Sequence, residues 1–453
     1  MRSIEPVLVA NRGEIAVRVL RALRELGILS VAVYSEADAH AVHVGMADRS
    51  VLLGPAAPTE SYLNIDRVLQ AARETGARSV HPGYGFLAEN AEFAERCEAE
   101  GLVFIGPSPE AIRGMGSKIE ARRRMSAAGI PVVPGGTDPI RADEDAIAAA
   151  DAIGYPVAFK ASGGGGGRGF RVAHDSAGVA AAFAGARSEG ERYFNDPTVY
   201  AERYMEDPRH VEVQIVADAH GNVVHLGERD CSVQRRHQKL IEESPGPTVD
   251  PMLREHIGDV AVSAARAIGY RSVGTVEGLL VGSDFYFLEM NTRLQVEHPV
   301  TELVTGIDLV REQLRVAAGE PLSFAQKDVQ LRGWAIECRI NAESAAKGFL
   351  PAPGKITSWN PPAGPGVRVD SGVKSGDEVT AFYDPLLAKL IVWDQDRESA
   401  TRRMRRALAE FEVGGPATLI PFYRRLLATD EWMSAETCRS LVADREWLKS
   451  TAS

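Results

Sequence analysis

Two acidic residues, Glu277 and Glu289, stand in apolar runs on either side of the turn-forming triplet Gly282-Ser283-Asp284. We expect a β-hairpin with this triplet as its loop, which places the two carboxylates directly opposite each other. Cross-strand neighbours lie about 5 Å apart at Cβ, and like charges at that distance repel. A divalent cation such as Mg²⁺ or Mn²⁺, carrying a nucleotide phosphate, would turn this repulsion into a binding site, because it prefers oxygen ligands.

A polar face is predicted to continue beyond the hairpin. Strand periodicity of two residues puts Glu289, Asn291, Arg293 and Gln295 on one face. It puts Tyr286, Leu288 and Met290 on the other face. The alternative is a hairpin with a solvated face on which the acids have no function.

A glycine-rich segment offers a second candidate site. Lys160 ends an apolar run and is followed by the glycines of 163–167 and then by Arg168 and Gly169. Without Cβ atoms, successive backbone N–H groups can surround phosphate oxygens, and the two basic side chains add charge. The segment is not a Walker A loop, because no Lys-Ser/Thr pair follows the last glycine. A flexible linker is the alternative, but flanking strands argue against it.

The segment 228–239 concentrates hydrogen-bond donors in an otherwise acidic chain. Taken alone, it is interpreted as a basic surface patch, with a site for small anions as the alternative.

Composition limits the classes of function. With 453 residues, the chain is expected to form two or three domains. A net charge of -11 argues against nucleic acid or an anionic membrane as the main partner. There is no apolar run of the roughly 20 residues that span a bilayer, and no signal-peptide pattern, so we expect a soluble cytoplasmic protein. The four cysteines are far apart in sequence, which indicates reduced thiols and neither a zinc site nor a disulfide framework.

The N-terminal residues predict a βαβ unit. Residues 6–10 and 29–34 have strand patterns, and 14–26 has the pattern of an amphipathic helix. A parallel α/β domain follows. Its first turn lacks dinucleotide-fold glycine spacing, so we assign no nicotinamide there.

Taken together, these motifs closely resemble biotin carboxylase of the ATP-grasp superfamily. The resemblance covers nearly the whole chain and rests on Asn11-Arg-Gly-Glu14, His81-Pro-Gly-Tyr-Gly-Phe-Leu87, Lys118, the 160–169 loop, Glu202, Pro208-Arg-His-Val-Glu212, Cys231 to Lys239, Glu289-Met-Asn-Thr-Arg-Leu-Gln-Val-Glu-His298 and Glu337-Cys-Arg-Ile-Asn-Ala-Glu343. The motif at 289–298 is highly specific, whereas glycine loops are shared more widely.

The resemblance implies a multidomain α/β and α+β fold. Its parts would be an N-terminal parallel α/β domain (1–114), an ATP-grasp core (115–331) with a mobile lid (about 131–203), and a C-terminal α+β domain (332–453). It also implies ATP-dependent carboxylation of biotin with bicarbonate, through carboxyphosphate. This is the first half-reaction of a biotin-dependent acyl-CoA carboxylase, as in fatty acid synthesis.

The same resemblance assigns site residues. ATP contacts would come from Lys118, Lys160, Gly164, Gly165, Gly166, Gly167, Phe170, Glu202, Met205, His210, Gln234 and His237. Metal ligands would be Glu277, Glu289 and Asn291. Glu297 would be the base that deprotonates bicarbonate, and Arg339 would stabilise the enolate of biotin. The remaining bicarbonate and biotin contacts would be Lys239, Arg293, Gln295, Val296 and Tyr84.

Two positions depart from the family pattern. Phe170 stands where methionine is common, so an adenine contact would be stacking instead of a sulfur contact. Gly278 stands where a bulky apolar residue is common, which predicts a looser strand beside Glu277.

The resemblance also implies partners. No Ala-Met-Lys-Met biotin-attachment sequence is present, so biotin is expected on a separate carrier protein, with a carboxyltransferase subunit that selects acetyl-CoA, propionyl-CoA or pyruvate. A homodimer is expected, with Arg18, Arg21 and Glu25 as candidate interface residues; a solvated helix face is the alternative for these three. The alternatives are an ATP-grasp ligase or carboxylase acting on another acceptor, and a nucleotide-binding regulatory subunit without turnover.

Overall fold

The first domain is built on a five-stranded parallel sheet. The computed structural model describes residues 2–136, 138–163 and 168–451. The sheet order is β3-β2-β1-β4-β5. Its strands are β1 (Val7–Val9), β2 (Ser30–Ser35), β3 (Arg49–Gly54), β4 (Ser79–His81) and β5 (Val103–Phe104). The helices of this region are α1 (Gly13–Glu25), α2 (Val42–Met46), α3 (Ile65–Thr75), α4 (Ala91–Ala99) and α5 (Pro109–Gly116).

The predicted βαβ opening is confirmed. β1 pairs in parallel with β2, and α1 connects them. Ile15, Val19 and Leu23, spaced four residues apart, are buried along one face of α1. The helix is followed by Gly27, whose φ of +67° is the left-handed conformation that suits glycine.

A small unit with its own hydrophobic core lies within the segment predicted to be a lid. Its three-stranded antiparallel sheet has the order β7-β6-β8. The elements are α6 (Lys118–Ala127), which precedes the unit, then α7 (Asp143–Ile153), β6 (Val157–Ala161), β7 (Phe170–Ala173), α8 (Val179–Phe194) and β8 (Val199–Arg203). Phe159 and Phe183 pack edge to face inside it. The loop glycines Gly164–Gly167 lie outside the described residues, so the predicted phosphate loop is described only at its two ends.

An eight-stranded antiparallel sheet forms the centre of the molecule. Its order is β13-β12-β9-β10-β11-β14-β21-β19. The strands and helices of the middle region are β9 (Arg209–Ala217), β10 (Val223–Arg235), β11 (Gln238–Ser244), α9 (Pro251–Ala267), β12 (Ser272–Val281), β13 (Asp284–Asn291), α10 (His298–Thr305) and α11 (Leu309–Ala317). Because β11 pairs with β14, the sheet continues without a break into the C-terminal region.

The C-terminal region adds three strands to that sheet and packs helices against it. Its strands are β14 (Trp334–Asn341), β15 (Glu343–Ser344), β16 (Leu350–Pro351), β17 (Gly354–Lys355), β18 (Ser358–Asn360), β19 (Val367–Ser371), β20 (Glu378–Val379), β21 (Leu386–Asp394) and β22 (Glu412–Gly414). Its helices are α12 (Arg397–Glu410), α13 (Ile420–Leu426), α14 (Asp430–Met433), α15 (Arg439–Ala443) and α16 (Arg445–Lys449).

Arg18 was expected as an interface residue on the first helix, and the structure buries it within the chain instead. Its guanidinium donates to Glu302 and Asp308, each at 2.8 Å. Arg18 therefore ties α1 to α10, and of the three candidates Arg21 and Glu25 remain accessible.

The predicted hairpin is present, but its predicted loop is wrong. Val281 pairs with Asp284, so the loop has two residues, Gly282 and Ser283. A β-bulge then shifts the register by one residue between Glu277 and Gly278. The shift restores the predicted pairing of Glu277 with Glu289.

The bulge also changes which side chains share a face. Leu288 lies beside Glu289 in the cleft described below, whereas Met290 is buried in a core cluster with Phe285 and Phe287. The prediction that Tyr286, Leu288 and Met290 share one face is therefore wrong. The strand ends at Asn291, so Arg293 and Gln295 follow it in irregular backbone.

Gly278 is closely packed against the opposite strand. A Cβ atom there would lie 2.2 Å from Cζ of Phe285 and 2.8 Å from the carbonyl oxygen of Tyr286. The Phe285 ring thus fills the space that a side chain at 278 would take.

Within the described ranges, no helix combines the length and the apolar character needed to cross a membrane.

We predict that Gly278→Val lowers the free energy of unfolding by about 2 kcal/mol, because overpacking displaces Phe285. Urea denaturation followed by fluorescence measures the loss. In a Phe285→Ala background the same substitution should cost much less, and an equal cost in both backgrounds would contradict the packing argument. Gly45→Ala is the control, because nothing lies within 4 Å of a Cβ atom at that helical position.

Candidate active site

A cleft of about 1680 Å³ lies between the parallel domain, the small unit of β6, β7 and β8, the central sheet and the C-terminal region. Every predicted site residue that the structure describes lines it. These are Tyr84, Lys118, Lys160, Phe170, Glu202, Met205, His210, Gln234, His237, Lys239, Glu277, Glu289, Asn291, Arg293, Gln295, Val296, Glu297 and Arg339. Residues from regions far apart in sequence are therefore brought together at one place.

The opposed carboxylates of the hairpin have their counter-charge within the chain. Lys118 Nζ donates to Glu289 at 2.9 Å, and Lys239 Nζ donates to Glu277 at 2.8 Å. Lys118 is the first residue of α6, whose N-terminus is capped by the Ser117 hydroxyl. Lys118 holds the pKa of Glu289 below its usual value, against burial and against the charge of Glu277.

Glu277 is the most heavily hydrogen-bonded acid of the cleft. One of its oxygens accepts from Lys239, from Asn291 Nδ2 at 2.7 Å and from Gln295 Nε2 at 2.6 Å. The other lies 2.7 Å from His210 Nε2. Burial raises the pKa of Glu277, but Lys239 and His210 reverse this, and the pKa lies well below its ordinary value. Glu277 is thus held as an ionised carboxylate.

The oxygen atoms of the hairpin fit a hard divalent cation. Two ionised carboxylates and the amide oxygen of Asn291 form the donor set that Mg²⁺ or Mn²⁺ prefers. Asn291 Nδ2 donates to Glu277, and Asn291 Oδ1 accepts from Arg293 Nη2 at 3.0 Å. The donor chemistry of these residues is therefore compatible with the predicted metal.

Lys239 is the cation at the centre of the second half of the cleft. Its ammonium group contacts three buried acids, namely Glu212 at 2.5 Å, Glu277 at 2.8 Å and Glu297 at 2.6 Å. Burial lowers the pKa of Lys239, but these three carboxylates raise it well above its usual value. Lys239 is held as a cation.

Glu297 lies at the N-cap position of α10 and is 2 % exposed. Besides Lys239, it accepts a hydrogen bond from Arg339 Nη2 at 3.0 Å. Burial raises the pKa of Glu297, but Lys239, Arg339 and Arg229 lower it well below its normal range. In the ligand-free cleft Glu297 is a fully ionised carboxylate.

Arg339 bridges two acids of unequal strength. Its guanidinium donates to Glu242 at 2.6 Å as well as to Glu297. Burial raises the pKa of Glu242 to about 7, with Arg339 acting in the opposite direction. The pKa of Glu242 is raised and that of Glu297 is lowered, so Glu297 is the more strongly ionised of the two acids that Arg339 contacts.

The side of the cleft formed by β6, β7 and β8 carries a separate group of ion pairs. Lys160, on β6, donates to Glu202 on β8, and Arg122 Nη1 lies 3.3 Å from the same carboxylate. The Phe170 ring packs edge-on against His237, with 5.5 Å between ring centroids. His237 and Arg236 both have positive φ at the tip of the β10–β11 hairpin, a strained geometry for residues other than glycine.

Three further predicted residues of the cleft, Arg293, Tyr84 and Val296, are held by contacts with the N-terminal domain or with β21. Arg293 Nε donates to Glu89 at 2.8 Å, so an acid of the N-terminal domain orients it. The Tyr84 hydroxyl donates to Glu14. The backbone oxygen of Val296 accepts from Lys389 Nζ at 2.7 Å.

Several residues of the cleft received no role from the sequence. Glu212, Arg229, Glu242 and Lys389 are buried in or directly behind it. A signal existed for Glu212, because His210, Glu212 and Gln214 alternate with valines and an isoleucine along one strand. Lys389 stands alone in the apolar run of β21. Arg229 gave no such signal, since its segment reads as a basic patch.

Three family models match successive parts of the chain. They are described as biotin carboxylase N-terminal domain (residues 3–112), carbamoyl-phosphate synthase L chain ATP-binding domain (117–325) and biotin carboxylase C-terminal domain (337–444). Among curated proteins, a pyruvate carboxylase subunit of Methanothermobacter thermautotrophicus is 54% identical over 95% of this chain and 88% of its own length. Biotin carboxylase 1 of Bacillus subtilis is 52% identical over 96% of this chain and 97% of its own.

Solved structures agree with these matches. A Campylobacter jejuni biotin carboxylase in complex with β,γ-ATP superposes with a TM-score of 0.93 at 46% identity, covering 95% of this chain and 97% of that one. The biotin carboxylase domain dimer of Hydrogenobacter thermophilus 2-oxoglutarate carboxylase, with MgADP, ADP and bicarbonate, superposes with a TM-score of 0.92 at 47% identity, covering 95% of each chain. Sequence, fold and cleft all lead to the same group of proteins, and the chain belongs to the biotin carboxylase family.

Proposed function

We propose that this protein carboxylates biotin, using ATP and bicarbonate, and that carboxyphosphate is the intermediate. The observation that carries the proposal is the group formed by Lys239, Glu297 and Arg339, which places a carboxylate base between two cations. Bicarbonate must lose a proton to become a better nucleophile, and the dianion that results needs nearby positive charge. Relatives that bind nucleotide and bicarbonate support the same reaction.

The nucleotide end of the cleft supplies position and charge. Lys118 and Lys160 would contact the phosphates of ATP, and Glu202 would hold Lys160 in place. Glu277, Glu289 and Asn291 would hold Mg²⁺ or Mn²⁺, which supplies charge neutralisation at the phosphates. Phosphoryl transfer depends mainly on such positioning and neutralisation. The ring of Phe170 would lie beside the adenine with Met205, His210, Gln234 and His237 around it.

At the bicarbonate end, binding exchanges the partners of existing ion pairs. Lys239 and Arg339 both contact Glu297 in the free cleft and depress its basicity. When bicarbonate takes Lys239, Arg293 and the amide of Gln295 as partners, Glu297 loses part of this cationic field and becomes a stronger base. It then accepts the bicarbonate proton, and the oxygen that is freed attacks the γ-phosphorus of ATP and displaces ADP.

Biotin would then occupy the side of the cleft near Arg339 and Tyr84. Carboxyphosphate breaks down to CO₂ and phosphate, and the released phosphate would accept the N1 proton of biotin. The resulting enolate of the ureido group, stabilised by Arg339, takes up the CO₂ at N1. We propose that biotin arrives on a separate carrier protein, that a carboxyltransferase uses the product, and that the chain forms a homodimer. Four free thiols are typical of a reducing compartment, which favours the cytoplasm.

The direct test is bicarbonate-dependent ADP release with and without free biotin. We expect ADP release to require bicarbonate and to rise when biotin is added. Omission of Mg²⁺ and Mn²⁺ should abolish it. Stimulation by an amine or amide acceptor, without any effect of biotin, would contradict the proposal and favour another ATP-grasp ligase.

Glu297→Gln tests the base. Loss of a general base typically costs 10²- to 10⁴-fold, so we expect biotin carboxylation to fall by at least about 100-fold while nucleotide binding remains. ADP release and fluorescent-nucleotide binding measure the two effects. Glu228→Gln is the matched control, because Glu228 is equally buried and paired with Arg254, outside the cleft. A comparable loss in the control would contradict a specific role for Glu297.

The lowered pKa of Glu297 predicts how its stabilising effect depends on pH. A depressed pKa stabilises the fold above the ordinary value of 4.5, and the effect is lost as pH falls below it. At pH 7, Glu297→Gln should lower the free energy of unfolding by about 2 kcal/mol. The difference from wild type should shrink between pH 4.5 and lower values in urea denaturation. A difference that grows on acidification would contradict the assignment.

A further inference from the structure

Arg229, on β10, is fully buried, yet it lies directly behind the bicarbonate end of the cleft. Each of the five N–H donors of a guanidinium finds an acceptor here. The acceptors are Glu212 at 2.5 Å, Gln214 at 2.7 Å, Thr301 at 2.9 Å, Gln295 at 3.0 Å and Thr275 at 3.2 Å. These five residues come from β9, β12, α10 and the segment before α10.

Gln295 has an amide that could face the cleft in either of two orientations. Arg229 has only donors, so the Gln295 oxygen must face it. Gln295 Nε2 then faces Glu277 and the cleft, and donates to that carboxylate at 2.6 Å. An anion entering the cleft meets an N–H donor instead of a carbonyl oxygen.

Two other partners connect Arg229 to the base. Glu212 contacts Arg229 through one oxygen and Lys239 through the other. Thr301 belongs to α10, whose N-cap position is occupied by Glu297. One guanidinium therefore fixes the side chain of Gln295, the carboxylate that holds Lys239, and the helix that carries Glu297.

We propose that Arg229 is a positioning residue for bicarbonate, acting by holding the Gln295 amide with its nitrogen towards the cleft. The proposal rests on the proposed function and names a determinant of its bicarbonate site. A lysine cannot replace this arginine, because an ammonium has three donors at one point and lacks the planar fork that reaches Glu212 and Gln295 together.

Arg229→Lys is the first test. We expect the KM for bicarbonate to rise at least about tenfold, while the KM for ATP changes less than about twofold. Arg254→Lys is the matched control, since Arg254 forms a two-pronged ion pair with buried Glu228 away from the cleft. It should lose similar thermal stability without a change in the bicarbonate KM. Equal changes in both KM values, or an equal bicarbonate effect in the control, would overturn the proposal.

A double-mutant comparison shows whether Arg229 acts through Gln295. In a Gln295→Ala background, Arg229→Lys should add little to the bicarbonate KM. A full additional effect would overturn the assignment. If Arg229→Lys does not fold, Thr301→Val removes one acceptor without touching the cleft, and we expect a rise of about two- to fivefold in the bicarbonate KM alone. No change, or an equal rise for ATP, would count against the proposal.

A crystal structure of a folded variant, Arg229→Lys or Thr301→Val, separates this inference from the proposed function, because it needs no turnover. We expect the Gln295 amide to leave Glu277 in Arg229→Lys and to shift or become disordered in Thr301→Val. An unchanged Gln295–Glu277 hydrogen bond would refute the positioning role even if the wild-type enzyme proves to carboxylate biotin. Absence of bicarbonate-dependent ADP release in the wild type would refute the proposed function and leave this structural result to decide the positioning role.

Discussion

The burial of one ammonium group among three carboxylates is the interaction on which the rest of the cleft depends. Lys239 is in contact with Glu212, Glu277 and Glu297; the three acids are buried, and the Lys239 side chain is only 11% exposed. Charges in such surroundings are very costly unless they are paired and hydrogen-bonded. The three acids come from β9, β12 and the start of α10, so these three elements must meet at the Lys239 ammonium group. The antiparallel register of β9 and β12, which sets Glu212 opposite Glu277, brings the first two acids together.

The free cleft satisfies its own charges, and this shapes how it can bind ligands. Lys118 and Lys239 already neutralise the opposed acids of the hairpin, and Arg339 already neutralises Glu297. A substrate anion or a metal ion therefore binds by replacing one member of an existing ion pair and does not bind to uncompensated charges. Such exchange keeps desolvation costs low, because each side chain that loses one ionic contact gains another.

Patterns within single segments were predictable, and contacts between distant segments were not. Alternation and turn residues were enough to predict that Glu277 faces Glu289. The predicted loop was one residue too long, and a bulge in the strand compensates for the shorter turn. Periodicity alone cannot reveal such a bulge. Resemblance to a family brought the remaining cleft residues together. Arg229 was missed because its role depends on hydrogen bonds to five residues spread in sequence from Glu212 to Thr301. The residues next to it in sequence indicate only an arginine in a polar segment. The close packing at Gly278 was not predictable for a related reason, since the ring that fills its space belongs to the opposite strand.

The continuity of the central sheet from β11 into β14 has a consequence for how this gene can be recombined. Glu242 on β11 pairs with Glu337 on β14. The same two strands carry Lys239 and Arg339. A crossover placed near residue 331 would divide a single hydrogen-bonded ladder and expose two strand edges prone to aggregation. Chimaeras with other carboxylases should therefore exchange the small unit of β6, β7 and β8, whose core is separate, and keep both halves of the sheet from the same parent.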